Sequence, residues 1–293
     1  MNRKTKENII EKALAACALI TVLTTVGIIL VLLVEAVSFF SEVSIIEFLT
    51  GTEWTPLFTN KSYGILPLIA GTMLTSFIAI GVALPIGLTI AVYLNEYAPR
   101  RFRKVVKPLL EILAVVPTVV YGFFALMIVT PFLKNFIPEL AGFNALSPGL
   151  VMGIMIIPFV SSLSEDALNS VPDSLRQAAF GMGSTKLQTA FKVMVPAASS
   201  GIIVSAILAI SRAIGETMIV AIAAGHQPRF TIDPTIPIET ITAYIVQVSM
   251  GDVPYGTIAY KTIFAAGITL FVFTFILNNI SYWIRNKYRE KYE

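Results

Sequence analysis

The chain has 293 residues, of which 56% are hydrophobic and 13% are charged, and its formal net charge is +3. About a quarter of the residues in an average soluble domain are charged, so this composition excludes an ordinary soluble globule and indicates a surface that faces lipid. The small net charge gives no reason to expect a nucleic-acid partner. The one cysteine, Cys17, excludes an internal disulfide, and the one histidine, His226, excludes a His-rich metal site. We expect neither a metal nor a cofactor.

Six apolar stretches are long enough to form membrane spans, each of which needs about 20 residues of helix. They predict an all-α integral membrane protein with spans at 13–34, 66–94, 109–133, 148–163, 197–224 and 263–284. Basic residues precede the first stretch, as in a signal peptide. Its length and the lack of a small-x-small cleavage site favour a retained anchor instead.

The Lys and Arg residues gather in alternate connections between the spans. Sixteen lie in the two terminal tails and in the connections after spans two and four, whereas four lie in the other connections. The positive-inside rule therefore predicts that both termini are cytoplasmic. It places long loops at 38–63 and 225–260 outside the cytoplasm. In the second loop, 238–250 is typical either of a short amphipathic helix at the membrane interface or of an ordinary structured loop.

The cytoplasmic connection at 170–196 predicts a helix-turn-helix. Pro172 suits the first turn of a helix, and small and apolar residues follow it with helical period. Gly183 can adopt the left-handed conformation that ends a helix. Thr185 and Gln188 have the spacing of a capping box that begins a second helix. The small residues on one face would allow another protein to approach closely.

The same connection resembles permease subunits of ABC importers, which carry Glu-Ala-Ala, three residues, Gly, nine residues and Ile-x-Leu-Pro. This chain has the same spacing, with Gln in place of Glu and Val in place of Ile and Leu. In that family the loop docks into a cleft of a cytoplasmic ATPase. The resemblance implies an ATPase-coupling role for Gln177, Ala178, Ala179, Gly183 and Pro196. No Walker-type motif occurs in the chain, so ATP hydrolysis is expected of a separate subunit and the chain is not expected to be an enzyme.

The fifth predicted span contains two ionisable residues, Arg212 and Glu216. An ionisable residue at the centre of a span costs about 2.5–3.5 kcal/mol on insertion scales. In a continuous helix residues four apart share a face, where an ion pair would offset part of this cost. Two interpretations stay open. The pair could be structural, or Arg212 could contact a translocated oxyanion with its planar guanidinium while Glu216 orients it. Gly215 would let another backbone or a ligand come close.

Three further segments, 63–72, 111–122 and 211–218, are similar to permeases of phosphate importers, and the resemblance covers most of the chain from residue 63. It implies the six-helix MetI-like fold, with residues 65–293 as the permease core and residues 1–64 as the tail, first helix and outer loop. It also implies half of a phosphate translocation pathway in the plasma membrane of a prokaryote. The implied partners are a second homologous permease, ATPase subunits and an extracytoplasmic phosphate-binding protein.

Alternatives to phosphate import stay open at this level. One arginine does not discriminate among tetrahedral anions, so a permease for sulfate, molybdate or a phosphonate would have the same features. A channel that works without ATP is a different class of protein. Such a channel has no need for a loop with the spacing of an ATPase-docking motif.

Overall fold

The computed structural model describes residues 3–251 and 253–287, and no β-strand forms within them. The predicted cytoplasmic ends at 1–2 and 288–293 lie outside the described residues. The helices are α1 (Arg3–Phe40), α2 (Ile45–Thr50), α3 (Leu66–Val92), α4 (Arg100–Val115), α5 (Thr118–Phe124), α6 (Thr130–Lys134), α7 (Leu146–Asn169), α8 (Asp173–Gly181), α9 (Lys186–Thr189), α10 (Val195–Ala197), α11 (Ser199–Ile214), α12 (Met218–Ala223), α13 (Ile241–Met250) and α14 (Ile258–Lys287), with π-helical turns at Tyr93–Tyr97, Ala125–Val129 and Ala190–Met194.

Four continuous helical segments are long and apolar enough to cross a membrane, namely Glu7–Phe40, Leu66–Tyr97, Leu146–Asn169 and Ile258–Ile284. Two bent pairs pass the same test. Arg101–Val115 meets Thr118–Lys134 at 85°, and Lys186–Ala197 meets Ser199–Ile214 at 72°. When each bent pair counts as one span, the described residues contain six, the predicted number. The predicted topology assigns the cytoplasmic and extracytoplasmic ends of this bundle.

The predicted boundaries of the third span are wrong. The stretch 109–133 is not one helix, because α4 ends at Val115 and α5 begins only after Pro117. Both Val116 and Pro117 have extended ψ angles, of 129° and 133°. Proline has no N–H for the helical ladder, so it favours a break followed by a new helix start. Helix α4 is therefore turned by 85° from the direction of α5.

The fifth predicted span, 197–224, is also interrupted. Helix α11 ends at Ile214, Gly215 is its C-cap residue, and α12 begins at Met218. The side chain that holds this break in place is the Glu216 carboxylate. Its Oε1 accepts hydrogen bonds from the backbone N–H groups of Met218 at 3.2 Å and Ile219 at 3.3 Å. These bonds satisfy amide donors that the first turn of any helix leaves open.

Helices α3 and α7 form the centre of the bundle and approach each other closely. A Cβ atom at Gly87 of α3 would lie 2.8 Å from Val160 of α7, and a Cβ at Gly153 of α7 would lie 2.8 Å from Val82 of α3. Small residues at such positions let two membrane helices pack backbone against backbone. The cluster around this contact also contains residues from α5, α11 and α12. The pairing of α3 with α7 thus sets the frame on which the other helices pack.

An aromatic cluster closes the extracytoplasmic end of the bundle. Trp54 and Tyr244 are each 1% exposed, and their rings meet edge to face with centroids 5.0 Å apart. Tyr244 belongs to α13, whose buried residues pack against α3, α12 and α14. The segment predicted at 238–250 thus forms a helix from residue 241. The helix of the first predicted alternative is therefore confirmed, and contacts within the protein hold it. Its position at the membrane interface stays a prediction.

Candidate functional site

The cytoplasmic connection folds as the predicted helical hairpin. Pro172 is the N-cap residue of α8, and Gly183 follows the helix with a φ of +81°, in the left-handed region predicted for it. Thr185 Oγ1 accepts from the backbone N–H of Gln188 at 3.3 Å, and Gln188 Oε1 accepts from the N–H of Thr185 at 2.9 Å. The predicted capping box is therefore confirmed, and it begins the second helix of the hairpin.

The residues of the ABC pattern divide between the surface and the interior of this hairpin. Gln177, Ala178, Gly183 and Pro196 are exposed, whereas Ala179 is buried. Large apolar side chains also face outward near the tip, where Met182 is 87%, Leu187 59% and Phe191 54% exposed. An apolar patch that is exposed in one chain is typical of a surface that another protein covers.

Arg176 ties α8 to the cytoplasmic end of α3. Its Nη2 donates to Glu96 Oε1 at 2.8 Å and to Asn95 Oδ1 at 2.9 Å, both in the π turn that follows α3. Its Nη1 donates to Asp173 Oδ1 at 2.8 Å within α8. The Glu96 side chain is 4% exposed, whereas that of Asp173 is 75% exposed. Of these two ion pairs, Arg176–Glu96, which joins α8 to the π turn, is thus the more buried.

A buried carboxylate on α7 completes this group of charges. The Glu165 side chain is 1% exposed, and its Oε2 lies 2.9 Å from Lys107 Nζ of α4. Arg103 of α4 lies 3.8 Å from Glu165 Oε1 through its Nε, and its Nη2 donates to the backbone carbonyls of Leu94 and Asn95. Charged side chains therefore join α3, α4, α7 and α8 at one end of the bundle.

The ion pair predicted between Arg212 and Glu216 is absent. Arg212 lies in the last turn of α11 and Glu216 in the break after it, so the two do not share the face of one helix. Glu216 binds the start of α12 instead, and its backbone carbonyl accepts from Thr242 Oγ1 at 2.6 Å. Arg212 is exposed and forms no ion pair with any residue that the structure describes.

Gly215 borders open space within the described residues. A Cβ atom there would meet only the carbonyl oxygens of Ser211 and Arg212, at 3.5 Å and 3.9 Å, both in its own helix. The added Cβ thus meets no other segment, and the expected approach of another backbone or a ligand at Gly215 stays a prediction.

A cavity of about 330 Å³ opens on the extracytoplasmic side between the loops at 54–58 and 226–229. His226 Nδ1 lies 3.3 Å from Glu239 Oε1, and the Glu239 side chain is 2% exposed. The hydrogen bond to Glu239 raises the pKa of His226, and burial raises the pKa of Glu239. His226 has a φ of +49°, an uncommon backbone conformation for a residue other than glycine.

The sequence interpretation missed the buried carboxylates Glu96, Glu165 and Glu239. A signal was present for Glu165, which follows the predicted end of the fourth span by two residues on the side rich in Lys and Arg. A carboxylate at that depth needs a partner. Its partners lie about 60 positions earlier in the chain, and no local pattern identifies contacts of that range.

Comparisons with known proteins agree with this architecture. Residues 83–290 match the family described as "Binding-protein-dependent transport system inner membrane component". The probable ABC transporter permease protein YqgH of Bacillus subtilis is 34% identical over 277 residues, which are 94% of this chain and 89% of the relative. The phosphate transport system permease protein PstC of Mesorhizobium japonicum is 32% identical over 250 residues, 79% of this chain and 75% of the relative.

A solved structure supports the fold alone. A bacterial ABC transporter involved in the import of the acidic polysaccharide alginate has a chain that aligns with a TM-score of 0.65 at 16% identity. The alignment covers 99% of this chain and 100% of that chain. The apolar helices and the family match describe a multi-pass membrane subunit, and the family implies an ATPase and a substrate-binding protein as its partners. The chain belongs to the family of inner-membrane components of binding-protein-dependent transport systems, the permease subunits of ABC importers.

Proposed function

We propose that this chain is the PstC-type permease subunit of an ATP-driven importer for inorganic phosphate. The observation that carries the proposal is the exposed hairpin at 170–196, in a chain 32–34% identical to PstC proteins of Mesorhizobium japonicum and Xylella fastidiosa. Its partners are a second, PstA-like permease, PstB-like ATPase subunits and a PstS-like phosphate-binding protein outside the cytoplasm. Residues 65–293 form the permease core, and residues 1–64 add the first helix and the outer loop.

The hairpin supplies the contact with the ATPase. Ala178 and Gly183 leave the backbone accessible on this surface, the exposed Gln177 adds a polar side chain, and the exposed Met182 adds an apolar contact. The buried Ala179 and the bend after Pro196 set the position of this surface against the bundle. Closure of the ATPase dimer on ATP would move the hairpin, and differential contact in the two states makes such coupling possible.

Arg212 contributes the cationic group of the translocation pathway. The step from Ser199 to Arg212 along α11 corresponds to about 20 Å at 1.5 Å per residue, which supports a position of the guanidinium within the membrane. An exposed arginine facing lipid at that depth is costly. The exposed side of α11 therefore faces the second permease and the pathway between the two subunits. There the planar guanidinium can bind an oxyanion with two parallel hydrogen bonds.

Glu216 acts on the same site through the backbone. Because its carboxylate caps α12 and its carbonyl binds Thr242, it fixes the end of α11 that carries Arg212. Its contribution to translocation is thus to position the arginine.

The test is phosphate uptake by the reconstituted transporter with Arg212→Gln. Arg229→Gln is the matched control, because Arg229 is an exposed arginine in an extracytoplasmic loop, hydrogen-bonded to Gln227. We expect both variants to assemble with the ATPase and only Arg212→Gln to lose uptake. Arg212→Lys should restore little, since it keeps the charge and loses the bidentate geometry. Equal uptake by the two Gln variants would rule out the role of Arg212.

Competition distinguishes phosphate from the other oxyanions. Uptake of labelled phosphate should persist in excess sulfate, molybdate or phosphonate when the phosphate-binding protein delivers the substrate. Uptake of labelled sulfate or molybdate at a similar rate would instead favour the alternative permeases. Uptake without ATP would favour a channel.

A further inference from the structure

The contact between α8 and α3 differs in kind from the rest of the packing around the hairpin. Apolar residues near Met194 also hold the hairpin to the ends of α3 and α7. Apolar contact has no preferred direction, so it does not by itself fix the orientation of the hairpin. The Arg176–Glu96 pair is directional, hydrogen-bonded and mostly removed from water, and separating a buried pair leaves an uncompensated charge. A displacement of α8 is therefore expected to carry the π turn with it.

Asn95 extends the contact to two more elements. Its Oδ1 accepts from Arg176, its Nδ2 donates to Asn169 Oδ1 at 2.6 Å, and its backbone carbonyl accepts from Arg103 at 3.0 Å. Asn169 is the last residue of α7 and Arg103 lies in α4. One residue thus receives contacts from α8, α7 and α4.

Chain connectivity alone does not provide this link to α3. Helices α7 and α8 are separated by three residues, so motion of the hairpin reaches α7 through the backbone. Glu96 is 80 positions from Arg176, so the hairpin reaches α3 only through contacts in space. The π turn at Tyr93–Tyr97 is also a point where the regular helical ladder is already interrupted, and such turns often mark functional positions.

We propose that Arg176 is the positioning residue through which the ATPase-docking hairpin drives α3, with Glu96 and Asn95 as its acceptors on the π turn. The proposal rests on the proposed coupling function of the hairpin. Arg176 neither docks on the ATPase nor touches the transported anion. It converts displacement of α8 into displacement of α3, and Asn95 passes the same displacement to α4 and α7.

The test compares binding-protein-stimulated with basal ATPase activity in the complete reconstituted transporter. Arg176→Gln and Glu96→Gln should leave ATPase association and basal activity unchanged. Each should lower the stimulated activity and phosphate uptake by about tenfold, within the range typical of coupling between sites. The double variant should be no worse than the more impaired single variant, because both changes remove one interaction. Asp173→Asn is the matched control, since it removes only the exposed contact of Arg176 and should act like wild type.

The outcomes separate this inference from the proposed function. If Arg176→Gln and Glu96→Gln keep a wild-type ratio of stimulated to basal activity, Arg176 is not the link. The same conclusion follows if Asp173→Asn lowers the ratio equally. If Arg176→Gln fails to accumulate in the membrane, the isosteric Glu96→Gln decides by itself. A change at the docking surface, such as Gly183→Asp, tests the hairpin itself. Full phosphate uptake by Gly183→Asp would overturn the coupling function. Loss of uptake in Gly183→Asp together with normal uptake in Arg176→Gln would overturn only the role of Arg176.

Discussion

Gly183→Asp tests whether the tip of the hairpin is a docking surface. Gly183 has a φ of +81°, and a Cβ atom added to it would have no heavy atom within 4 Å. The substitution therefore creates no clash inside the chain. Its cost to folding is the left-handed conformation, about 1–2 kcal/mol for a residue with a side chain. A domain stable by roughly 5–15 kcal/mol tolerates that loss.

The chain offers a matched control for this backbone cost. Gly256 has a φ of +80°, and a Cβ atom there also has no heavy atom within 4 Å, but it lies in the opposite, extracytoplasmic loop. Gly256→Asp should therefore cost the same in folding without touching the ATPase. Gly183→Ala supplies a second control, because it adds the strain at the tip without the charge.

The expected difference appears in the docked complex. A carboxylate left unpaired in a protein interface costs about 2–5 kcal/mol, which corresponds to a loss of roughly 30-fold to 4,000-fold in association. We expect Gly183→Asp to reach the membrane at the level of Gly256→Asp, to copurify poorly with the ATPase and to lose phosphate uptake. Copurification and uptake equal to those of Gly256→Asp would refute the docking role.

Three further predictions address the hairpin cap, the outer pocket and the topology. Thr185→Ala should destabilise the second hairpin helix by about 1 kcal/mol, which limited proteolysis would detect as faster cleavage at this site. Thr185→Ser should restore resistance to the protease. Equal cleavage rates for the Ala and Ser variants would contradict the capping role of Thr185. Because Glu239 raises the pKa of His226 above its ordinary 6.5, stability from this pair should be complete below about pH 6.5 and be lost as the pH rises through the raised pKa; His226→Gln should remove this pH dependence of the melting temperature, and an unchanged dependence would exclude the pair. The topology can be tested in a variant without Cys17. Ile232→Cys, at a position 91% exposed, should react with an impermeant thiol reagent added outside the cell, whereas Thr185→Cys should react only after the membrane is permeabilised. The reverse result would invert the topology.

Local signals in the sequence predict the hairpin well. Its helix starts and its turn depend on residues within three or four positions of one another, as Pro172, Gly183 and the Thr185–Gln188 pair show. Such short-range capping is visible in the sequence because each cap satisfies backbone groups next to it. The number of spans is predicted for a similar reason, since each depends on the average polarity of one continuous stretch.

The direction of a helix and the ion-pair partners of a charged side chain do not depend on neighbouring residues alone. Hydropathy is high on both sides of Val116 and of Gly215, so the averages continue through the 85° bend and the break at 215–217. The predicted pairing of Arg212 with Glu216 failed because it assumed a continuous helix there. The contacts of Glu165 and of Arg176 join positions about 60 and 80 residues apart, and only the three-dimensional packing brings them together.

The close approach of α3 and α7 has a consequence for how the subunit changes shape. An added methyl group at Gly87 or Gly153 would collide with the facing helix, so rotation or sliding of α3 against α7 is opposed at these contacts and the two helices move as one body. Bending costs less where backbone hydrogen bonds are already interrupted, as at Val116–Pro117 and at 215–217. Opening and closing of the pathway would then swing α5 and α12 about these two joints relative to the central pair, which is displaced as a unit and keeps its own packing.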